Sequence, residues 1–143
     1  MIKKNISLVA TTFNNEDEIL LFLDNIFSQS YLPGEIVISD GGSKDKTVEL
    51  ILNYQQNTGV RIIVRNGKRL NIAEGFNDAI KNSTGELILI AGVGNLYPVD
   101  FIEKLYVNMI SFEADVVCPY IVAQKKNDFT ERYNKVFCAN GEG

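Results

Sequence analysis

Two short polar runs, each directly after an apolar stretch, hold the residue types best suited to ligand chemistry: Thr11-Thr12-Phe13-Asn14 and Ser39-Asp40-Gly41-Gly42-Ser43. In the first, an aromatic ring at Phe13 is suited to pack on a planar base. The Thr12 hydroxyl and Asn14 amide supply fixed hydrogen bonds beside it. In the second, the Asp40 carboxylate is suited to accept from a base N–H or a ribose hydroxyl. Gly41-Gly42 then lets the backbone turn sharply and approach a ligand closely. Each run also has a plainer reading: Phe13 as a ring at the edge of the core, Asn14 as a helix cap, and Asp40 as an acceptor for its own loop's backbone donors.

These groups need a scaffold, and the surrounding sequence predicts one. Ile6–Ala10, Glu35–Ser39, Arg61–Arg65 and Glu86–Ala91 are short apolar runs rich in strand formers, as buried parallel strands are. Between them lie stretches with helical spacing. Glu16 to about Ser28 carries Ile19, Phe22, Leu23 and Ile26, with Asn14 or Asn15 as cap. Thr47 to Gln56 follows, capped by Ser43 or Asp45. A third starts at Asn71, with Glu74 three residues on in a capping-box pattern, and ends at Ser83-Thr84-Gly85. Pro98 opens a fourth, to about Phe112, and Asp115–Val122 reads as a fifth strand.

Strand–helix alternation with short connections predicts an α/β fold: a mostly parallel, Rossmann-like sheet with helices on both faces. Ligands of such sheets bind outside the carboxyl ends of the strands, where strand order reverses. The runs after Ala10, Ser39, Arg65 and Ala91 therefore form the expected site. Residues 1–122 are expected to be the binding domain. Residues 123–143, polar and without clear periodicity, are expected to be a flexible tail or the start of a further region.

Bulk properties narrow the function classes. The 143-residue chain is 45% hydrophobic and carries a net charge of −4, so no overall basic field exists for nucleic acid. It contains no histidine, which removes histidine bases, Ser-His-Asp triads and most zinc sites. Its two cysteines, Cys118 and Cys138, have no metal-ligand spacing, and Cys118 in its apolar run reads as a buried structural thiol. With no export signal and no apolar run of roughly 20 residues, a cytoplasmic location without a membrane span is expected.

Taken in order, four segments resemble family 2 glycosyltransferases of the GT-A fold. Val9-Ala10-Thr11-Thr12-Phe13-Asn14-Asn15-Glu16 is similar to the family's P-T-Y-N-x-E start, and Ile36–Thr47 to its V-V-D-D/G-G-S-x-D-x-T segment. Asn71–Ile80 corresponds to its G-x-x-x-A-R-N-x-G stretch, and Thr84-Gly85-Glu86 to the A-x-G-E/D that follows. The resemblance covers about residues 5 to 122. It implies an inverting sugar transfer from a nucleotide-diphosphate sugar, with a UDP-sugar as the expected donor and a glycan or lipid-linked acceptor. By analogy Thr12, Phe13, Asn14 and Glu16 lie around base and ribose, Asp40 contacts the base, and Lys68 sits near it. A homo-oligomer is compatible with this assignment.

The family pattern breaks after the fourth strand. Members there carry D-x-D or D-A-D-D, whose acids hold Mg²⁺ or Mn²⁺ against the diphosphate. Counting back from Pro98, those positions fall on Gly92, Val93, Gly94 and Asn95, so the sequence shows no metal ligand set. Backbone N–H groups of Gly92-Val93-Gly94 and the next helix start are an alternative support for the diphosphate. No recognisable base for the acceptor hydroxyl is present among the late acids, and the Gly-Glu-Gly ending reads as a chain stopping before an acceptor half. Weak or absent transfer is therefore expected of this chain. The competing class is a non-catalytic nucleotide-binding or assembly module on the same fold. A phosphoacceptor receiver domain fits less well, because the first strand lacks the adjacent acidic pair that would hold Mg²⁺.

Overall fold

The computed structural model describes residues 4–56, 61–65 and 70–119. Its elements alternate as β1 (Ile6–Thr12), α1 (Ile19–Phe27), β2 (Glu35–Asp40), α2 (Thr47–Gln55), β3 (Arg61–Arg65), α3 (Ile72–Lys81), β4 (Leu87–Ile90) and α4 (Phe101–Ser111). Among the described residues the strands form one parallel sheet in the order β3-β2-β1-β4. The α/β reading and four of the expected strands are present.

Leu8, Val9, Ile36, Val37 and Ile38 are all fully buried. Consecutive buried residues mean that both faces of the central strands are covered, which is why these strands read as continuous apolar runs. Chain direction explains the coverage. From β1 to β2 to β3 the chain steps one way across the sheet, and from β3 to β4 it returns past β1. Right-handed crossovers then place α1 and α2 on one face and α3 on the other. The packing agrees: Val9, Val37 and Ala79 of α3 form a cluster joined by Ile63 and Phe76. On the other face α1 packs on α2, with the Phe27 and Tyr54 rings 5.4 Å apart. Strand order reverses between β1 and β4, so the carboxyl ends of these strands frame the crevice where such sheets bind ligands.

Several boundaries differ from expectation. β1 runs on through Thr11 and Thr12, with Thr12 in register with Asp40, so these residues are strand and not loop. The first helix starts at Ile19, because Asn14 and Asn15 are engaged elsewhere and give no cap; Glu18 takes the N-cap position without a side-chain cap bond. At the start of α2, Asp45 Oδ1 accepts from both Thr47 N and Thr47 Oγ1. The capping box of α3 forms as the sequence predicts, Asn71 and Glu74 each accepting from the other's backbone.

The chain divides into two compact units, Met1–Glu103 and Lys104–Gly143. The sheet and the site described below belong to the first. In the second, the described residues complete α4 and a turn closed by Ala114 N donating to Met109 O. Residues 115–119 form no strand, correcting that part of the fifth-strand expectation; Val116 is exposed and Pro119 has no N–H to add to a ladder. Cys118 is exposed, not buried. The remainder of that expected strand, Cys138 and residues 123–143 lie outside the described residues.

Candidate functional site

A cavity of about 240 Å³ opens at the carboxyl ends of the strands. Thr12 and Phe13 form one wall, Ser39 and Gly41 at the end of β2 the floor, Asn71 and Gly75 at the start of α3 the opposite wall, and Val93 after β4 one rim. Gly75 makes this closeness possible: a β-carbon there would stand 2.7 Å from Thr11 Cγ2, so only a glycine lets α3 come so near β1. The cavity is smaller than the roughly 300–1,000 Å³ of sites that enclose a whole ligand. It suits a base and ribose, with the rest of a ligand extending past the rim.

Thr12 is buried, and its hydroxyl donates to Asn15 Oδ1 at 3.0 Å, which leaves its lone pairs available. Phe13 is 56% exposed at the cavity edge, so its ring is not part of the core. The structure brings these two expected residues together at the cavity. Lys68 lies outside the described residues.

Asn14, Glu16 and Asp40 do not line the cavity, and their side chains have other partners. Asp40 is 1% exposed; its Oδ2 accepts from Gly42 N at 2.9 Å and Ser43 N at 2.8 Å, and its Oδ1 from Ser43 Oγ. Asn14 and Glu16 clasp the β1–α1 loop to the β2–α2 loop. Asn14 N donates to Ser43 Oγ and Asn14 Oδ1 accepts from Lys44 N; Glu16 N donates to Asp45 Oδ2 and Glu16 Oε2 accepts from Lys46 N. Asn15 N adds a bond to Thr47 Oγ1. Asn14 adopts φ +52°, a left-handed conformation that asparagine tolerates better than most residues. Partial desolvation pushes the Asp45 carboxyl up, but bonds from the Thr47 hydroxyl and N–H and from the Glu16 N–H outweigh it and hold Asp45 below the usual range.

The segment after β4 is pinned from both sides. Gly92 N donates to Tyr97 Oη at 2.8 Å, and the Tyr97 backbone exchanges two hydrogen bonds with the Asn25 side chain of α1. The Gly92 N–H is therefore engaged and is not available to an anion, which corrects that part of the backbone-support expectation. Val93 reaches the cavity, and Gly94 adopts φ +90°. Glu18, which sequence reasoning passed over, lies against this segment: a β-carbon at position 94 would stand 3.1 Å from its Oε2 and 3.4 Å from its Oε1. Asn15 Nδ2 donates to the same Oε2 at 3.0 Å. Among the described residues no group of three or more histidine, cysteine or acidic side chains is placed to hold a metal ion.

Sequence reasoning also passed over the cavity's α3 wall. The sequence marks Asn71 as a cap and as the start of the family-like Asn71–Ile80 stretch without assigning it to the site; its place at the carboxyl end of the sheet, after β3, was the available signal.

Comparison with known proteins places this geometry. Residues 7–141 match the family model described as glycosyl transferase family 2. Over 103 residues the chain is 36% identical to a dolichyl N-acetyl-α-D-glucosaminyl phosphate 3-β-D-2,3-diacetamido-2,3-dideoxy-β-D-glucuronosyltransferase of Methanococcus voltae, covering 69% of this chain and 32% of that protein. A PGL/p-HBAD biosynthesis glycosyltransferase of Mycobacterium bovis is 27% identical over 69% of this chain and 39% of its own. This chain thus spans well under half the length of these relatives. Among solved structures, Staphylococcus aureus TarS residues 1–349 in complex with UDP superposes with a TM-score of 0.68 at 17% identity, over 84% of this chain and 40% of that one. The mannosyltransferase PcManGT of Pyrobaculum calidifontis, in complex with GDP-Man and Mn²⁺, gives 0.68 at 23% identity, over 92% and 39%. Both likenesses show the GT-A fold.

Proposed function

This chain belongs to glycosyl transferase family 2, and from that premise we propose that its cavity is the donor site for a nucleotide-diphosphate sugar, with UDP as the nucleotide. The observation that carries the reading is the cavity itself, sized for a nucleoside and rimmed by the exposed Phe13 ring beside the Thr12 hydroxyl. The base packs on Phe13, and Thr12 Oγ1 accepts from a base N–H while its own proton stays on Asn15. Asn14, Glu16 and Asp40 act on the nucleotide indirectly, by fixing the two loops that carry Phe13 and Gly41. Lys68 belongs to the same reading as a group near the base. UDP is preferred because TarS, which shares the fold, is known in complex with it.

The diphosphate and sugar then extend past Val93, along the 92–95 segment. Mg²⁺ or Mn²⁺ beside a diphosphate supplies charge neutralisation to the leaving group. The 92–95 segment offers no carboxylate for such an ion. Transfer with inversion also needs a base for the acceptor hydroxyl, and among the described residues none that lines the cavity is an acid or a base. The reading for this chain is therefore donor binding, with transfer weak or absent. The acceptor class that fits is a lipid-linked glycan, by likeness to the M. voltae relative named for a dolichyl phosphate sugar.

Isothermal titration with UDP, GDP and UDP-sugars tests this reading. Saturable UDP binding, competed by UDP-GlcNAc and weakened in Phe13→Ala, is expected. Binding of no nucleoside diphosphate at all would overturn it.

A further inference from the structure

The hydrogen-bond roles of the cavity's polar side chains follow from the bonds they already make. Thr12 Oγ1 donates to Asn15 Oδ1 at 3.0 Å and Ser39 Oγ to Asp78 Oδ2 at 3.1 Å, so both hydroxyls have their proton committed and present lone pairs. Asn15 is engaged at both ends of its amide, Oδ1 accepting from Thr12 and from Phe13 N, and Nδ2 donating to Glu18. Asn71 differs from these. Its Oδ1 accepts from Glu74 N and its backbone N donates to Glu74 Oε2, both at 2.9 Å, which holds the amide in place and identifies its oxygen. Its Nδ2 has no hydrogen-bond partner among the described residues.

We propose that Asn71 selects the base: its Nδ2 donates to the 4-carbonyl of uracil while Thr12 Oγ1 accepts from the adjacent N3–H, so that uridine nucleotides are taken and cytidine nucleotides rejected; this rests on the donor-site reading above. Thr12 and Asn71 line the same cavity, and Gly41 lies between their segments. A β-carbon at Gly41 would stand 3.4 Å from the carbonyl oxygen of Leu70, the residue before Asn71, and 3.5 Å from that of Thr12. Both segments are thus within van der Waals reach of one residue that puts no side chain between them. Cytosine reverses both groups that uracil offers. Its N3 is an acceptor and its 4-position an amino donor, which sets acceptor against acceptor at Thr12 and donor against donor at Asn71. A site built to hydrogen-bond a polar group rejects the analogue that cannot reciprocate, because its own groups are left unpaired. The two ends of the Asn71 amide then have separate tasks: Oδ1 caps α3 and Nδ2 reads the base.

Calorimetry of UDP and CDP with the wild-type chain, Asn71→Asp and Asn71→Ser tests this, with circular dichroism to check each fold. Asp and Ser cap a helix about as well as Asn, and neither carries the amide donor. The wild type should bind UDP at least roughly tenfold more tightly than CDP, about 1.4 kcal/mol. Asn71→Asp should bring that ratio close to unity, because its carboxylate accepts from the cytosine amino group and offsets the preference of Thr12. The added charge acts on UDP and CDP alike and cancels in the ratio. Asn71→Ser, which removes the donor without adding charge, should give an intermediate ratio. A wild type that binds UDP and CDP equally overturns the proposal. A ratio left unchanged in the variants also overturns it and makes Asn71 a helix cap only. Binding of no nucleoside diphosphate by the wild type defeats the donor-site reading and this inference with it, whereas UDP binding without a preference over CDP defeats this inference alone.

Discussion

Glu35 opens β2 at the end of the sheet remote from the cavity, and it is only 3% exposed. Its Oε1 accepts from Ser7 Oγ at 2.6 Å, from Thr84 Oγ1 at 3.1 Å and from Thr84 N; Ser7 Oγ in turn accepts from Gly85 N at 2.7 Å. One carboxylate thus joins β1, β2 and the turn that leads into β4. Burial pushes its pKa up, but the bonds from Ser7 and Thr84 and the Arg61 charge outweigh burial and hold it below the usual glutamate value. Glu35→Ala removes two short charge-assisted bonds, each about 1.5–3 kcal/mol, and strands the Ser7 hydroxyl and Thr84 N–H without an acceptor. The expected loss is about 3–5 kcal/mol, a large part of the roughly 5–15 kcal/mol that holds a domain together. At about 3–4 °C per kcal/mol for a chain of this size, Tm should fall by at least about 10 °C in a circular dichroism melt. Glu35→Gln, which keeps shape and one acceptor oxygen, should cost about half as much. The pH dependence has a definite sign. A carboxyl with a depressed folded pKa contributes stability above its unfolded value and loses it as pH falls through the folded one. The gap between wild type and Glu35→Gln should stay level from neutral pH to about 5 and close below the ordinary value of 4.5. A loss under about 1 kcal/mol for Glu35→Ala, or a gap that ignores pH, would refute the account.

Phe13→Ala should weaken UDP binding by about 0.5–1.5 kcal/mol, up to roughly tenfold, while leaving Tm unchanged, since the ring is largely exposed; calorimetry and a melt together decide it. The Tyr54 hydroxyl donates to Asp24 Oδ1 at 2.8 Å, and burial together with that bond and the Asp24 charge pushes its pKa up to about 12. Alkaline spectrophotometric titration should therefore show a late-ionising contribution from Tyr54, which Tyr54→Phe should remove. Asn14→Ala loses both the bond from Lys44 N and asparagine's tolerance of φ +52°, so it should cost about 1–2 kcal/mol in urea unfolding. Asn14→Gly relieves the backbone strain and should cost less; equal losses would show that strain contributes nothing.

The scaffold was legible because its signals are local. Short apolar runs such as Leu8-Val9-Ala10 and Ile36-Val37-Ile38 can be buried on both faces only within a covered sheet. The capping box at Asn71 and Glu74 is complete within four residues. The partners of polar side chains were not legible, because they are set by contacts distant in sequence. Asn14 and Glu16 find theirs 29 and 30 residues away, at Ser43 to Lys46. Once the β1–α1 and β2–α2 loops lie side by side, their unpaired backbone N–H groups claim the nearest carboxylates and amides. The approach of Glu18 to Gly94 was not legible for the same reason, since the two are adjacent only in space. The fifth strand was overread from Val116-Val117-Cys118, an apolar run that in the described residues is largely exposed and unpaired.

The polar residues around the cavity divide according to what else they must satisfy. Asp40 is almost fully buried, and a buried carboxylate is tolerable only with its oxygens hydrogen-bonded. It meets that requirement through Gly42 and Ser43, and turning it toward a ligand would leave those backbone donors without partners. Exposed groups carry no such obligation. Phe13 at the rim is exposed and does not stabilise the core, so a ligand can recruit it without cost to the fold. On the donor-site reading proposed above, recognition falls to the less conspicuous groups, an exposed ring and a strand-end hydroxyl. The conspicuous acids hold the loops that present them.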